Sequence, residues 1–262
     1  MGALTPITYS THGPADTGMP EWEKIPADAL LAGDPVQSGH NYFTDETGTL
    51  TSGVWHCTPM TSKTGPYDVN EYMLVLEGAV TMIHDDGTRD TVCAGESFVI
   101  PKGTPCVWEQ TEDIRKFYVI HDDPSGETLD ADGLKVRTFA HDQALDPVGE
   151  QDTSRYIGDV PEQTIKIFFE DATKQMTVGL WTTTEMHTKP APFGRNELMH
   201  ILEGEVTITD GTGQATTYKA GDTFMVPKGM IYQWDSVGTV RKIFCIFQPK
   251  EVAAAAQPEA AQ

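Results

Sequence analysis

Apolar residues in this chain come in short runs of Val, Ile, Thr and aromatics, broken every few positions by glycine, proline or an acidic turn, with no long 3.6-residue apolar stripe. The pattern predicts many short strands joined by tight turns, an all-β chain. YMLVLEGAVTMIHDDG (72–87) and LMHILEGEVTITDGTG (198–213) each read as strand, glycine break, strand, turn. Gly78 and Gly204 permit a sharp bend or a positive φ, and DDG and DGTG are hairpin signals. SFVIPKG and TFMVPKG should each end a strand at proline, which has no backbone donor to continue a ladder. KFYVIH and KIFCIF supply a last strand in each stretch.

These stretches are copies of one another. Residues 41–120 align with 167–246 without a gap, at a constant offset of 126, and 30 of the 80 positions are identical. The matches include Trp55/Trp181, Glu71/Glu197, Gly78/Gly204, Gly95/Gly221, Pro101/Pro227, Trp108/Trp234 and the pairs Arg115-Lys116/Arg241-Lys242. A duplicated unit is the economical reading, and six to eight short strands per copy would form a sandwich-like barrel. The chain therefore divides into an N-terminal arm (1–40), a first barrel (41–122), a connector leading into the second unit's N-terminal strand (123–160), a second barrel (161–249) and an Ala/Gln-rich tail (250–262) expected to be disordered. The arm is expected to pack across the first barrel, with a short helix around PADALLAG.

Length agrees with two domains, since 262 residues exceed the usual single-domain size of roughly 100–150. A formal charge of −21 without basic patches excludes polyanionic partners, so neither nucleic acid nor an anionic membrane is expected. Four cysteines without CxxC spacing fit a reduced cytoplasm. The first residues, MGALTPITYSTHG, carry neither the basic nor the apolar region of an export signal, and Pro6 breaks the acylation pattern. No GxSxG, P-loop, HExxH or dinucleotide fingerprint occurs.

E-x6-G followed by G-x5-P-x-G, present in both copies, resembles the two halves of the cupin signature, G-x5-H-x-H-x3,4-E-x6-G and G-x5-P-x-G-x2-H-x3-N. GVWHCTP, WEQTEDIRK and WDSVGTVRK are similar to the branch containing ethanolamine-utilisation cupins and relatives of ureidoglycine aminohydrolase. The resemblance covers about 160 residues, the two aligned copies of 80. It implies two double-stranded β-helix barrels of jelly-roll type, paired within a monomer or homodimer, around small-molecule pockets.

In metal-dependent cupins three imidazoles and a carboxylate hold a divalent ion. The corresponding slots here are Gly65/Tyr67 or Thr64/Pro66, and Ala191/Phe193 or Pro190/Pro192, while the late histidine slot holds Cys106 or Tyr232. Only Glu71 and Glu197 survive, so no metal or other cofactor is expected. The minor alternative is an improvised site on Glu71 with Cys106, or on Glu197 with His187 or His200.

A carboxylate buried without metal is either an acid/base group or a structural hydrogen-bonding residue. The expected chemistry is metal-independent isomerisation, hydrolysis or elimination on a small polar, nitrogen-containing or carboxylated metabolite. The second barrel is preferred, with Glu197, Tyr232 and His187 as catalytic candidates and Arg195, Met199 and Trp234 as binding residues. Glu71, Met73, Cys106 and Trp108 are their first-barrel counterparts in binding. Period-two geometry puts His200 on the sheet face opposite Glu197, and turns one member of each Arg-Lys pair inward. The rival reading is a non-catalytic binding or regulatory bicupin.

Overall fold

The computed structural model describes residues 3–249; the tail expected to be disordered lies outside them. Among the described residues every regular element is a strand or a single 3-10 turn. Four antiparallel sheets are arranged as two barrels. In the first, a six-stranded sheet in the order 137–139, 97–100, 70–77, 114–121, 50–57, 37–44 faces a smaller sheet built on 60–62, 105–110, 79–84 and 89–93. In the second, the counterpart large sheet contains 223–226, 196–203, 240–247, 176–183 and 163–170, and faces 231–236, 205–210 and 215–219.

The backs of the two large sheets pack against each other. Tyr72, Leu74, Phe117 and Val119 from the first barrel meet Leu198, Ile243, Cys245 and Phe247 from the second in one buried cluster. The intervening residues point the other way: Met73, Val75 and Phe98 fill the first barrel, and Met199, Ile201 and Phe224 the second. Strands Asn70–Glu77 and Asn196–Glu203 are thus buried on both faces, which is why they read as near-continuous apolar runs instead of alternating ones.

The glycine breaks behave as their spacing predicts. Gly78 and Gly204 have φ of 74° and 78°, and a Cβ at either would lie 2.1 or 2.2 Å from a carbonyl oxygen of Asp113 or Thr239. Both helix and arm expectations need correction. PADALLAG makes one 3-10 turn, Ala27–Ala29, and passes into a strand, Leu30–Ala32, that pairs with Met60–Ser62. The arm also divides between the barrels, because its first strand, Ile7–Tyr9, pairs with Thr223–Met225 of the second. The connector returns the exchange: Arg137–Phe139 pairs with Ser97–Val99 of the first barrel. Each large sheet is closed on one edge by the segment that precedes the other barrel.

Candidate functional sites in the two barrels

Within the first barrel, Asn70–Glu77 and Ile114–His121 are neighbouring strands, and Glu71 and Lys116 both project inward. The two side chains are 4 % and 5 % exposed. Lys116 Nζ donates to Glu71 Oε1 at 2.7 Å and contacts Met73 Sδ at 2.9 Å. It also sits 4.8 Å from the ring centres of both Trp55 and Trp108, which stand edge to face with each other. The second carboxylate oxygen, Oε2, accepts from the phenol of Tyr67. Burial first, then the charge of Glu71, pushes that phenol well above its ordinary pKa, so Tyr67 is a neutral donor.

The second barrel repeats the arrangement. Lys242 Nζ donates to Glu197 Oε1 at 2.7 Å, touches Met199 Sδ at 3.2 Å, and lies 4.8 and 5.3 Å from the rings of Trp181 and Trp234. Phe193 stands where Tyr67 does, so the phenol donor is missing; Arg195 replaces it, donating from Nε to Glu197 Oε2 at 2.8 Å. Burial by itself would raise the Glu197 carboxyl, but the charges of Lys242 and Arg195 outweigh it and hold the group ionised below the usual carboxylate range. Burial pulls Lys242 below the ordinary lysine value against the opposing attraction of Glu197.

The cavities differ more than these floors do. The first encloses about 710 Å³ and the second about 220 Å³. Larger side chains fill the second: Tyr232 takes the place of Cys106, Arg195 that of Val69, and Arg155 that of Ala29 in the segment crossing the mouth. Burial pushes the Cys106 thiol up to about 11 and holds it protonated. The Tyr232 phenol is likewise raised, by burial and then by Glu197.

Glu197, Tyr232, Arg195, Met199 and Trp234 all line the second cavity, and Glu71, Cys106 and Trp108 the first. Met73 lies beneath Lys116, behind the cavity wall. His187 does not belong with its proposed partners. Its neighbours Met186 and Thr188 line the cavity, and alternation turns His187 outward, between Asp235 at 3.1 Å and Glu185 at 3.3 Å. His200 is on the outer face as parity requires, bonded to Thr223, with burial lowering its pKa to about 4.

Alternation already turned one residue of each Arg-Lys pair inward, towards a Glu or Asp; the spacing did not reveal that the partner is Glu71 or Glu197, or that a second tryptophan, Trp55 or Trp181, lies beside it. Their identity in both copies was the available signal. Tyr67 was visible only as an empty histidine slot.

The donor set does not fit the divalent ion that a cupin resemblance implies. Among the described residues no imidazole lines either cavity, both oxygens of each glutamate are engaged, and an ammonium lies against the carboxylate where a second cation would be repelled. Among the described residues no three His, Cys, Asp or Glu side chains converge.

Paired sheets closed into two ligand-sized barrels, each with a glutamate on an inner strand, define a double-barrel β protein of jelly-roll type. Residues 44–118 and 170–244 both match the EutQ-like cupin domain, and the chain belongs to the cupin family. Comparison with curated proteins returns no match. Among solved structures, a protein of unknown function from Pseudomonas syringae pv. tomato is similar with a TM-score of 0.75 and 24% identity, over 92% of this chain and 99% of that one. A cupin 2 conserved barrel domain protein from Leptotrichia buccalis has a TM-score of 0.56 and 10% identity, covering 88% and 98%. A salicylate 1,2-dioxygenase from Pseudaminobacter salicylatoxidans has a TM-score of 0.57 and 11% identity, covering 80% and 76%. At these identities the likeness is one of fold.

Proposed function

We propose that this bicupin binds a small molecule in its first barrel and acts on it by proton transfer, with no metal-borne step. One observation carries the reading: the chain Tyr67–Glu71–Lys116 at the floor of a cavity of about 710 Å³. Glu71 is the proton acceptor, the neutral Tyr67 phenol a donor, and Lys116 the fixed counter-charge. A base that takes a proton from one ligand atom and returns it to another needs no co-reactant, so isomerisation is the simplest reaction for this set. Hydrolysis and elimination call on the same groups. The tryptophans favour a ligand with an apolar or aromatic body, and the two lysines and two acids of the wall balance, so a ligand without net charge suits it best. This reading moves the reaction chamber from the second barrel to the first, on grounds of room.

The same reading includes a small-molecule ligand, no nucleic-acid or membrane partner, a cytoplasmic setting, and a monomer or homodimer. No helix of the described chain is long and apolar enough to cross a membrane. A non-catalytic binding role draws support from a specific fact: the Glu–Lys pair recurs in both barrels, as a structural fixture would.

Indole N–H signals of Trp55 and Trp108, followed by NMR against a panel of neutral aromatic alcohols, amides and ketones, test the reading. Weaker perturbation by panel members in Cys106→Phe, which narrows the cavity as Tyr232 does in the second barrel, than in the native protein is the expected result; equal perturbation in both proteins removes the first barrel as the site. For any compound converted, Glu71→Gln should abolish conversion while binding persists. Conversion at the native rate in that variant would remove Glu71 as the base, and conversion of no panel member would leave the binding role alone.

A further inference from the structure

The charges around the second cavity do not balance. Arg155, Arg195 and Lys242 line it, and among the described residues Glu197 is the only acidic one in its wall. Three cations against one carboxylate leave an excess of two positive charges inside a protein whose formal charge is −21. The first cavity has Lys63 and Lys116 against Asp68 and Glu71, with no excess.

The excess is also unspent. Glu197 takes Lys242 and only the Nε of Arg195, and among the described residues nothing accepts from the two terminal nitrogens of that guanidinium, whose side chain is 44 % exposed. Phe193 supports the guanidinium from one side, its ring centre 5.4 Å from the Arg195 Cζ. Arg155 makes no side-chain ion pair or hydrogen bond among the described residues, and the nearby Asp152 is engaged with Ser154. The Tyr232 hydroxyl, a neutral donor, likewise has no hydrogen-bond partner there. Two forked guanidinium donors and a phenol therefore converge on a small cavity, and among the described residues nothing accepts from Arg155, from the terminal nitrogens of Arg195 or from the Tyr232 hydroxyl. Guanidinium forks match the geometry of carboxylate and phosphate oxygens.

We propose that the second barrel is a binding site for a small oxyanion of charge −2, of the dicarboxylate or hydrogen-phosphate type. Arg155 and the free edge of Arg195 grip the anion, and Tyr232 donates to it. Glu197 and Lys242 form the floor and orient Arg195 through Nε. The side chains that distinguish this barrel from the first, Arg155, Arg195 and Tyr232, are the ones that make the site. The duplication thus separates a roomy, charge-balanced chamber from a small anion pocket.

Calorimetric titration of the full chain with sodium malonate, inorganic phosphate and sodium acetate tests this. The expected result is a dianion bound at least about tenfold more tightly than acetate, a factor worth about 1.4 kcal/mol. Malonate and phosphate, compared directly, tell carboxylate from phosphate recognition. Arg155→Gln, a change at an exposed side chain that leaves the Glu197 pairings in place, should weaken the dianion at least tenfold and erase its advantage over acetate, and Cys106→Phe in the first barrel should change neither. No detectable binding of either dianion at about 20 mM, a level far above a millimolar dissociation constant, overturns the proposal. Equal affinity for acetate and dianions, native affinity in Arg155→Gln, or loss of binding in Cys106→Phe overturns it equally.

Discussion

Lys116 Nζ lies 2.7 Å from Glu71 Oε1, so the carboxylate that a metal-dependent cupin would use as a ligand is here neutralised by a cation from the chain itself. The ammonium is held in turn by the Met73 sulfur and the faces of two tryptophans. An equivalent set occupies the second barrel.

Removing one member should be far worse than removing both. Lys116→Met strands a buried carboxylate and is expected to cost about 3–5 kcal/mol, whereas Glu71→Gln combined with Lys116→Met should recover most of that loss. Urea unfolding of the two variants against the native protein measures the difference. Equal destabilisation by single and double variants would show that the pair is not coupled.

Acid should find a weak point between the barrels. Burial disfavours the charged form of Asp171, but the approach of His121 Nδ1 to 3.5 Å and hydrogen bonds from Thr173 and the Met176 amide outweigh it and lower the carboxyl from 3.8 to about 2. A carboxylate depressed on folding contributes stability that is complete above its unfolded pKa and is lost as pH falls through the folded one. The window here is therefore from about pH 4 down to about pH 2. Asp171→Asn should lower stability at pH 7 by about 2 kcal/mol and flatten the acid limb in that window. Thermal melts from pH 7 to pH 2 provide the check.

Thiol chemistry should be confined to one position. Burial pushes Cys57 and Cys106 up to about 11, and Cys245 well above the ordinary thiol range, while Cys93 is exposed. Iodoacetamide at pH 8 should label Cys93 alone in the folded protein, read by peptide mass spectrometry. Rapid labelling of Cys106 would mean that its thiol is ionised in the cavity.

His187→Ala should leave the second pocket working. The ring faces Asp235 and Glu185 outside the cavity wall, so dianion affinity should be unchanged and stability altered by about 0.5 kcal/mol or less. A tenfold loss of affinity would return His187 to the site.

Gly78, Gly204, Pro101 and Pro227 betrayed the barrels in the sequence because backbone geometry tolerates few residues at such turns, and their repetition at a fixed spacing made the duplication legible. Glu71 and Glu197 were findable for the same reason. What spacing could not reveal was the lateral neighbour: Lys116 lies 45 residues from Glu71 and meets it only because their strands pair. Comparison of the copies also misled in one respect, since Thr61/His187 and Leu74/His200 look like divergent chemistry yet none of these four lines a cavity. The glutamate, lysine, methionine and two tryptophans were in fact kept twice, while the changes that reshape the cavities fall on Tyr67/Phe193, Val69/Arg195 and Cys106/Tyr232. The exchange of Ile7–Tyr9 and Arg137–Phe139 was hidden as well, because a three-residue strand in a loop-rich segment carries no periodicity to read.

That exchange ties the thermodynamics of the halves together. Parting them would strip an outer strand from each large sheet at once, uncovering two raw sheet edges and the apolar backs between them. The chain should consequently melt as a single cooperative unit, with matching calorimetric and van't Hoff enthalpies, despite containing two complete copies of its domain.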